Sequence, residues 1–261
     1  MFDFHMHSFV SFDGHGSALE MAQAAAQRGM KEICFTDHVD DDPKGIITTQ
    51  CFDLDTYSAA YDGLEVPGLT IRRGMEFGLL PDNRATIERY LSQRQFDFVL
   101  GSAHYADGED VYYAPYWEGK SLFEGERRYL ENILMCVSVH DEFDVLGHLT
   151  YIGRARCNPA KTPVKLEDHR EVVEEIFKVL IAKGKGIEIN TSGVDRIGAF
   201  LPTEDYVRLF KKLGGEIVTT GSDSHNVARV GQYIPEATEI LGRVFGYVCT
   251  FEHRKPVFHK I

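Results

Sequence analysis

Short runs of apolar and β-branched residues alternate along the chain with longer segments whose apolar residues recur at helical spacing. The short runs are Phe2–Met6, Glu32–Thr36, Leu69–Glu76, Phe98–Ser102, Val145–Leu149, Gly186–Asn190 and Glu216–Thr220, and their length and composition predict seven strands. Between them, Ala18–Arg28 is alanine-rich and stops before Gly29, while Leu122–His140 and Leu166–Lys183 keep one apolar face; all three predict helices. A fourth helix, Glu204–Lys212, is opened by Leu201-Pro202-Thr203 and closed by Gly214-Gly215. This β-α alternation predicts an α/β fold with a mainly parallel sheet closed as a barrel. With no break in composition to mark a linker, residues 1–261 read as one domain. Asp40–Cys51 and Tyr105–Lys120 are expected to be longer loops shaping the barrel mouth, the second rich in tyrosine and acids.

Composition narrows the picture little: 43% hydrophobic and 26% charged residues exclude a disordered or collagen-like chain. Charge excludes more. With 28 basic against 40 acidic side chains the net charge is −12, and no basic run offsets it, so no nucleic-acid partner is expected. The five cysteines are odd in number and far apart, with no Cys-x-x-Cys pair, which fits a reducing cytoplasm. No export signal or membrane-length apolar segment is read, so no membrane partner is expected either.

The informative residues are the polar ones that interrupt the strands. His5 and His7 lie on or just after the first strand, Asp37 and His38 after the second, and Glu76 at the end of the third; His104 follows the fourth. His148 ends the fifth, Asn190 the sixth, and Asp223 and His225 follow the seventh. In a parallel barrel those ends converge on one face. Taken singly, each has an ordinary explanation: His5-Met6-His7 as a hydrogen-bonded pair, Thr36-Asp37-His38 as a helix cap, Glu76 as a partner of Arg72 or Arg73. Together they place six imidazoles and several carboxylates in one cavity, which divalent ions satisfy far better than mutual hydrogen bonds.

Several elements resemble the polymerase and histidinol phosphatase (PHP) superfamily over nearly the whole chain. They are His5-Met6-His7-Ser8, Ser11-x-Asp13-Gly14, Thr36-Asp37-His38, Gly74-Met75-Glu76, Gly101-Ser102-Ala103-His104, Gly147-His148 and Gly221-Ser222-Asp223-Ser224-His225. Glu118-Gly119-Lys120-Ser121, the stretch from Phe143 through His148 to Arg154, and Asn190-Thr191-Ser192-Gly193 are similar, more narrowly, to PHP-type histidinol-phosphate phosphatases. The resemblance implies a distorted (β/α)7 barrel with a metal site at the C-terminal ends of the strands, binding two or three divalent ions. It implies His5, His7, Glu76 and Asp223 on the first ion, Glu76 bridging to a second held by His104 and His148, and Asp13, His38 and His225 on the third. The family position of Asp13 takes histidine or aspartate, so His15 is the alternative there. Glu76, Asp223 and His225 would form the catalytic core, with Asp37 orienting a ligand.

Two ions sharing a carboxylate bring a water between them toward neutral pKa and neutralise a phosphoryl group, so no protein nucleophile is required. Three divalent ions would add about six positive charges at the mouth, which reconciles an acidic chain with a phosphate substrate. The resemblance supplies the activity: hydrolysis of L-histidinol phosphate to L-histidinol and phosphate. The alternatives are a PHP-type phosphoesterase for another small phosphate ester or nucleotide, and a non-catalytic metal-binding accessory domain, against which the full ligand set argues. Mixed imidazole and carboxylate ligands suit Zn, Mn or Fe. Arg154 and Arg196 each follow a polar strand end, His148 and Asn190, and are the expected phosphate contacts. The cationic end of such a substrate would favour acids and aromatics from Tyr105–Tyr116. Oligomeric state is not written in the sequence.

Overall fold

Seven parallel strands follow one another around a common axis in a computed structural model of the chain, which describes residues 1–47 and 49–261. In chain order the strands are β1 (Phe2–Met6), β2 (Glu32–Phe35), β3 (His38–Val39), β4 (Thr70–Gly78), β5 (Phe98–Ser102), β6 (Tyr105–Ala106), β7 (Glu109–Asp110), β8 (Val145–Leu146), β9 (Gly186–Asn190), β10 (Val218–Gly221), β11 (Tyr247–Glu252) and β12 (Lys255–Lys260). The barrel runs β1-β2-β4-β5-β8-β9-β10, with the short β3 continuing alongside β4 beyond the end of β2. Backbone bonds from Asp223 to His5 (2.8 Å) and from His7 to Ser224 (2.9 Å) bring the end of β10 back to β1 and close the ring. The fold is therefore the distorted parallel barrel expected from the sequence.

Helices cover its outside, and local signals set their ends. Ser17 with Glu20 and Ser121 with Glu124 form capping boxes at the starts of helices Ala18–Gln27 and Leu122–Val139, each cap stabilising its helix by about 1 kcal/mol. Helix Glu204–Lys212 carries acids in its first turn and lysines in its last, in the sense the helix dipole favours. Most of the buried apolar side chains form one contiguous cluster.

The differences from the sequence reading are local. The fifth predicted strand is short: β8 ends at Leu146, because His148 takes a left-handed backbone (φ 22°) instead of continuing it. Helices Leu54–Tyr61, Arg84–Gln93 and Ile234–Val244 were not anticipated, the first two burying only two side chains each. Tyr105–Lys120 holds the small β6–β7 hairpin and a helical turn at Ala114–Trp117. The Asp40–Cys51 loop includes Thr48, which lies outside the described residues.

The β11–β12 hairpin was also unforeseen. It turns on His253 and Arg254, both with positive φ (49° and 65°) and neither of them the glycine or asparagine that usually marks such a turn. It closes the N-terminal end of the barrel: Phe251 lies 4.9 Å from Phe98, and Phe98 lies 5.6 Å from Phe4 across the interior. Arg254 pairs with Asp144, and Arg72 bridges Glu32 and Glu252. Arg73 pairs with Asp62, so Glu76 is left to the opposite end of the barrel.

Candidate metal centre

Phe4 and His5, though consecutive, both face the barrel interior: Phe4 meets Phe98, and His5 meets residues of β4 and β9. A regular strand would send them to opposite faces. The β1–β2 register breaks between Asp3 and Met6, and such a bulge re-aims a side chain. His5 and His7 then lie side by side, fully buried, with Nε2 atoms 3.1 Å apart.

Their tautomers follow from what each Nδ1 touches. His5 Nδ1 is 2.8 Å from Glu188 Oε1, so the imidazole donates there. His7 Nδ1 is 3.0 Å from Ser11 Oγ, whose own proton goes to Asp37 Oδ1 and which also accepts the His38 backbone N–H. His7 must therefore donate as well. Neutral His5 and His7 thus present Nε2 lone pairs to each other, with Glu76 Oε2 at 3.2 and 3.4 Å and Asp223 Oδ1 at 3.6 and 3.5 Å. Lone pairs and carboxylates converging out of water require cations between them. Without metal, protons serve: burial would lower the His5 imidazole, but Glu188, Glu76 and Asp223 raise it well above the ordinary range. Burial and the imidazoles of His225 and His38 push its neighbour His7 down to about 3.

Glu76 is the hub. Its Oε1 lies 2.8 Å from His148 Nε2 and 3.4 Å from His104 Nε2, and its Oε2, which has no hydrogen-bond donor, lies 3.2 Å from His38 Nδ1. Burial would raise this carboxyl, yet the imidazoles of His5, His38 and His104 hold it well below the carboxylate range. Asp13 Oδ2 is 3.2 Å from His225 Nε2 and its Oδ1 is 3.8 Å from His38 Nε2. His15 is exposed, and its backbone pairs with that of Asn226. Asp223 and His148 both hold left-handed backbone, at φ 53° and 22°, a cost of order 1–3 kcal/mol each that is characteristic of functional sites.

All nine residues expected as ligands are thus in one cluster. Groups able to bind one ion from three sides are His5–His7–Asp223, His5–Glu76–His148, His7–His38–His225 and His38–Asp40–His104. Asp40 was not anticipated. Its oxygens lie 2.9 Å from His38 Nδ1 and 2.9 Å from His104 Nδ1, an approach open only because residue 78 is glycine: a Cβ there would sit 1.8 Å from Asp40 Oδ1. The signal was present, since Asp40 follows His38 by the strand period of two. Glu188 was also missed, although Glu188 and Asn190 are two polar residues on one face of an otherwise apolar strand.

Above the cluster opens a cavity of about 670 Å³, within the range of small-ligand sites. Asp13, His38, Asp40, Glu76, His104, His148, Asp223 and His225 form its floor. Arg154 stands on that floor, with Nη2 2.8 Å from Asp223 Oδ2, its guanidinium over the Tyr151 ring, and Nε without a partner. Arg196 stands at the rim, over the Tyr112 ring and donating to the Tyr112 hydroxyl. Tyr105, Asp110, Tyr112 and Tyr113 of the second predicted loop contribute to the wall. Burial raises the Asp110 carboxyl.

Known proteins resemble this chain in sequence and in fold. A histidinol-phosphatase of Lactococcus lactis is 30% identical over 258 residues, covering 97% of this chain and 95% of its own. The crystal structure of a histidinol phosphate phosphatase from Lactococcus lactis, complexed with zinc, L-histidinol and phosphate, has a TM-score of 0.86 at 27% identity, covering 98% of both chains. That of a Listeria monocytogenes protein put forward as a histidinol phosphatase has a TM-score of 0.78 over 90% of this chain and 99% of the other; at 19% identity it bears on the fold alone. The model of the PHP domain matches residues 3–192, which hold six of the seven barrel strands and all of the cluster but Asp223 and His225: this chain belongs to the PHP domain family.

Proposed function

We propose that the chain is a metal-dependent phosphomonoesterase that hydrolyses L-histidinol phosphate to L-histidinol and phosphate. The observation that carries this reading is the joining, in one cavity, of a cation-demanding cluster and a partly unpaired arginine. It stands in a chain similar over its whole length to a phosphatase crystallised with that product pair. His5, His7, Glu76 and Asp223 would hold one ion, Glu76, His104 and His148 a second, and Asp13, His38 and His225 a third, with Zn, Mn or Fe suited to the donors. Bound there, the ions supply an acidified water and neutralise the phosphoryl oxygens.

The chain's own groups do the positioning. Glu188 and Ser11 hold the imidazoles of His5 and His7 with Nε2 inward. Arg154, on the floor, grips the phosphate, with Arg196 at the rim as a second contact. Asp110 and the tyrosines around it face the cationic imidazole or amine of the substrate. All five cysteines are unpaired and no helix among the described residues is long and apolar enough to cross a membrane, which supports a place in the cytoplasm.

The test is a panel of phosphate esters given to purified, metal-loaded protein. L-histidinol phosphate should exceed sugar phosphates and nucleotides in kcat/KM by at least tenfold; a nucleotide or sugar phosphate at the top would replace the substrate, and no turnover of any ester would leave only the accessory-domain reading. Arg154→Lys should retain metal and fold but lose about tenfold in kcat/KM, about 1.4 kcal/mol, because an ammonium cannot reproduce two parallel N–H contacts. Unchanged kinetics would leave phosphate to the ions alone. Asp13→Ala should lower metal content by about one ion while His15→Ala leaves it unchanged; the reverse would move the ligand role to His15.

A further inference from the structure

We infer that Glu188, in the middle of β9, is a positioning residue that sets His5 and His148 together for metal binding; this rests on the metal reading above. Glu188 is 1% exposed and faces only donors. Its Oε1 accepts from His5 Nδ1 at 2.8 Å. Its Oε2 accepts the His148 backbone N–H at 2.9 Å and the Asn190 side-chain amide at 3.2 Å. One carboxylate thereby joins a proposed ligand of the first ion to one of the second, across β8, β9 and β1. A Cβ on Gly221 of β10 would come within 2.1 Å of Glu188 Oε1 and 2.4 Å of His5 Cβ, so only glycine at that position lets the carboxylate reach His5.

Glutamine is the same size, but it cannot do this. Its amide has one acceptor and one donor, and one end must face a donor whichever way it turns. With NH2 toward His5, Nδ1 becomes the acceptor and the imidazole proton moves to Nε2, covering the lone pair that faces the cluster. With NH2 toward His148, a buried backbone N–H is left unpaired where φ is already 22°. Either way a ligand is misaligned, although the residue touches no ion.

Zinc binding to metal-free protein, titrated in competition with a chromophoric chelator, tests this. Glu188→Gln should weaken zinc binding roughly ten- to a hundredfold, as loss of a group holding a metal-ligating histidine does. Long-range 1H–15N spectra of the zinc-loaded wild type should show His5 protonated at Nδ1. Wild-type protein that takes up no zinc would sink the metal reading itself. Wild-type protein that binds zinc, with Glu188→Gln within threefold of it, would overturn the role of Glu188. So would a fall only in the metal-free melting temperature, which marks a merely structural residue. Should Glu188→Gln fail to fold, Glu188→Asp keeps the charge and withdraws both oxygens by one methylene; it should weaken zinc binding in the same sense, and wild-type affinity in that variant would overturn the proposal.

Discussion

Glu76→Gln should reduce kcat/KM on L-histidinol phosphate by about a thousandfold or more, about 4 kcal/mol of transition-state stabilisation. The size of the effect follows from position. Glu76 Oε2 lies 3.2 Å from His5 Nε2, 3.4 Å from His7 Nε2 and 3.2 Å from His38 Nδ1, and Oε1 lies 2.8 Å from His148 Nε2. In the proposed assignment this is the one residue shared by two ions. The amide keeps the volume and removes the charge, so metal content should fall by one or two ions while the barrel, whose apolar core lies elsewhere, stays folded. Near-normal turnover with full metal content would remove the bridging role from Glu76.

Chelation should abolish activity, and zinc or manganese should restore it. The pH dependence of this exchange is the sharper test. In the metal-free protein burial would lower the histidine pKa values, but Glu188 and Glu76 raise His5 well above the ordinary range, and Asp40 and Glu76 do the same for His104. Burial likewise opposes, and Glu76 and Asp40 overcome it, for His38, raised to about 9. At pH 7 these imidazoles carry protons that a metal must displace, so zinc affinity should climb between pH 7 and 9. Stability of the metal-free protein should move the other way. A histidine whose folded pKa is raised contributes fully below its ordinary value of 6.5, and that contribution is lost as pH rises through about 9. Calorimetry should therefore show the metal-free melting temperature falling from pH 7 to 9 while its gap below the zinc-loaded form widens. A gap that narrows would contradict the protonated cluster.

Much of this was legible because ligand chemistry and strand ends coincide in sequence. His5, Glu76, His104, His148 and Asp223 stand where apolar runs stop, and parallel topology alone gathers them. Asp40 and Glu188 escaped notice for opposite reasons. Asp40 opens a stretch that reads as an acidic loop, its approach to His38 and His104 depending on the missing side chain at Gly78. Glu188 sits inside a strand, where a single acid among isoleucines resembles ordinary alternation until its partners are known. The β11–β12 hairpin was illegible because its turn uses His253 and Arg254, whose positive φ no side-chain preference announces. The Phe4–His5 bulge cannot be read from residue types either: alternation places His5 and His7 together but would turn Phe4 away from Phe98.

The hairpin beneath the barrel has a kinetic meaning. With Phe251 packed on Phe98 and Phe98 on Phe4 across the N-terminal end, the interior is closed from below and the cavity opens at the rim where Arg196 stands. In such a well the order of departure is set by depth. In the proposed assignment Arg154 holds phosphate on the floor, beneath the alcohol, so the expected order of release is alcohol first and phosphate second. Phosphate, the last to leave in that order, should then inhibit competitively against the ester, while the alcohol should not.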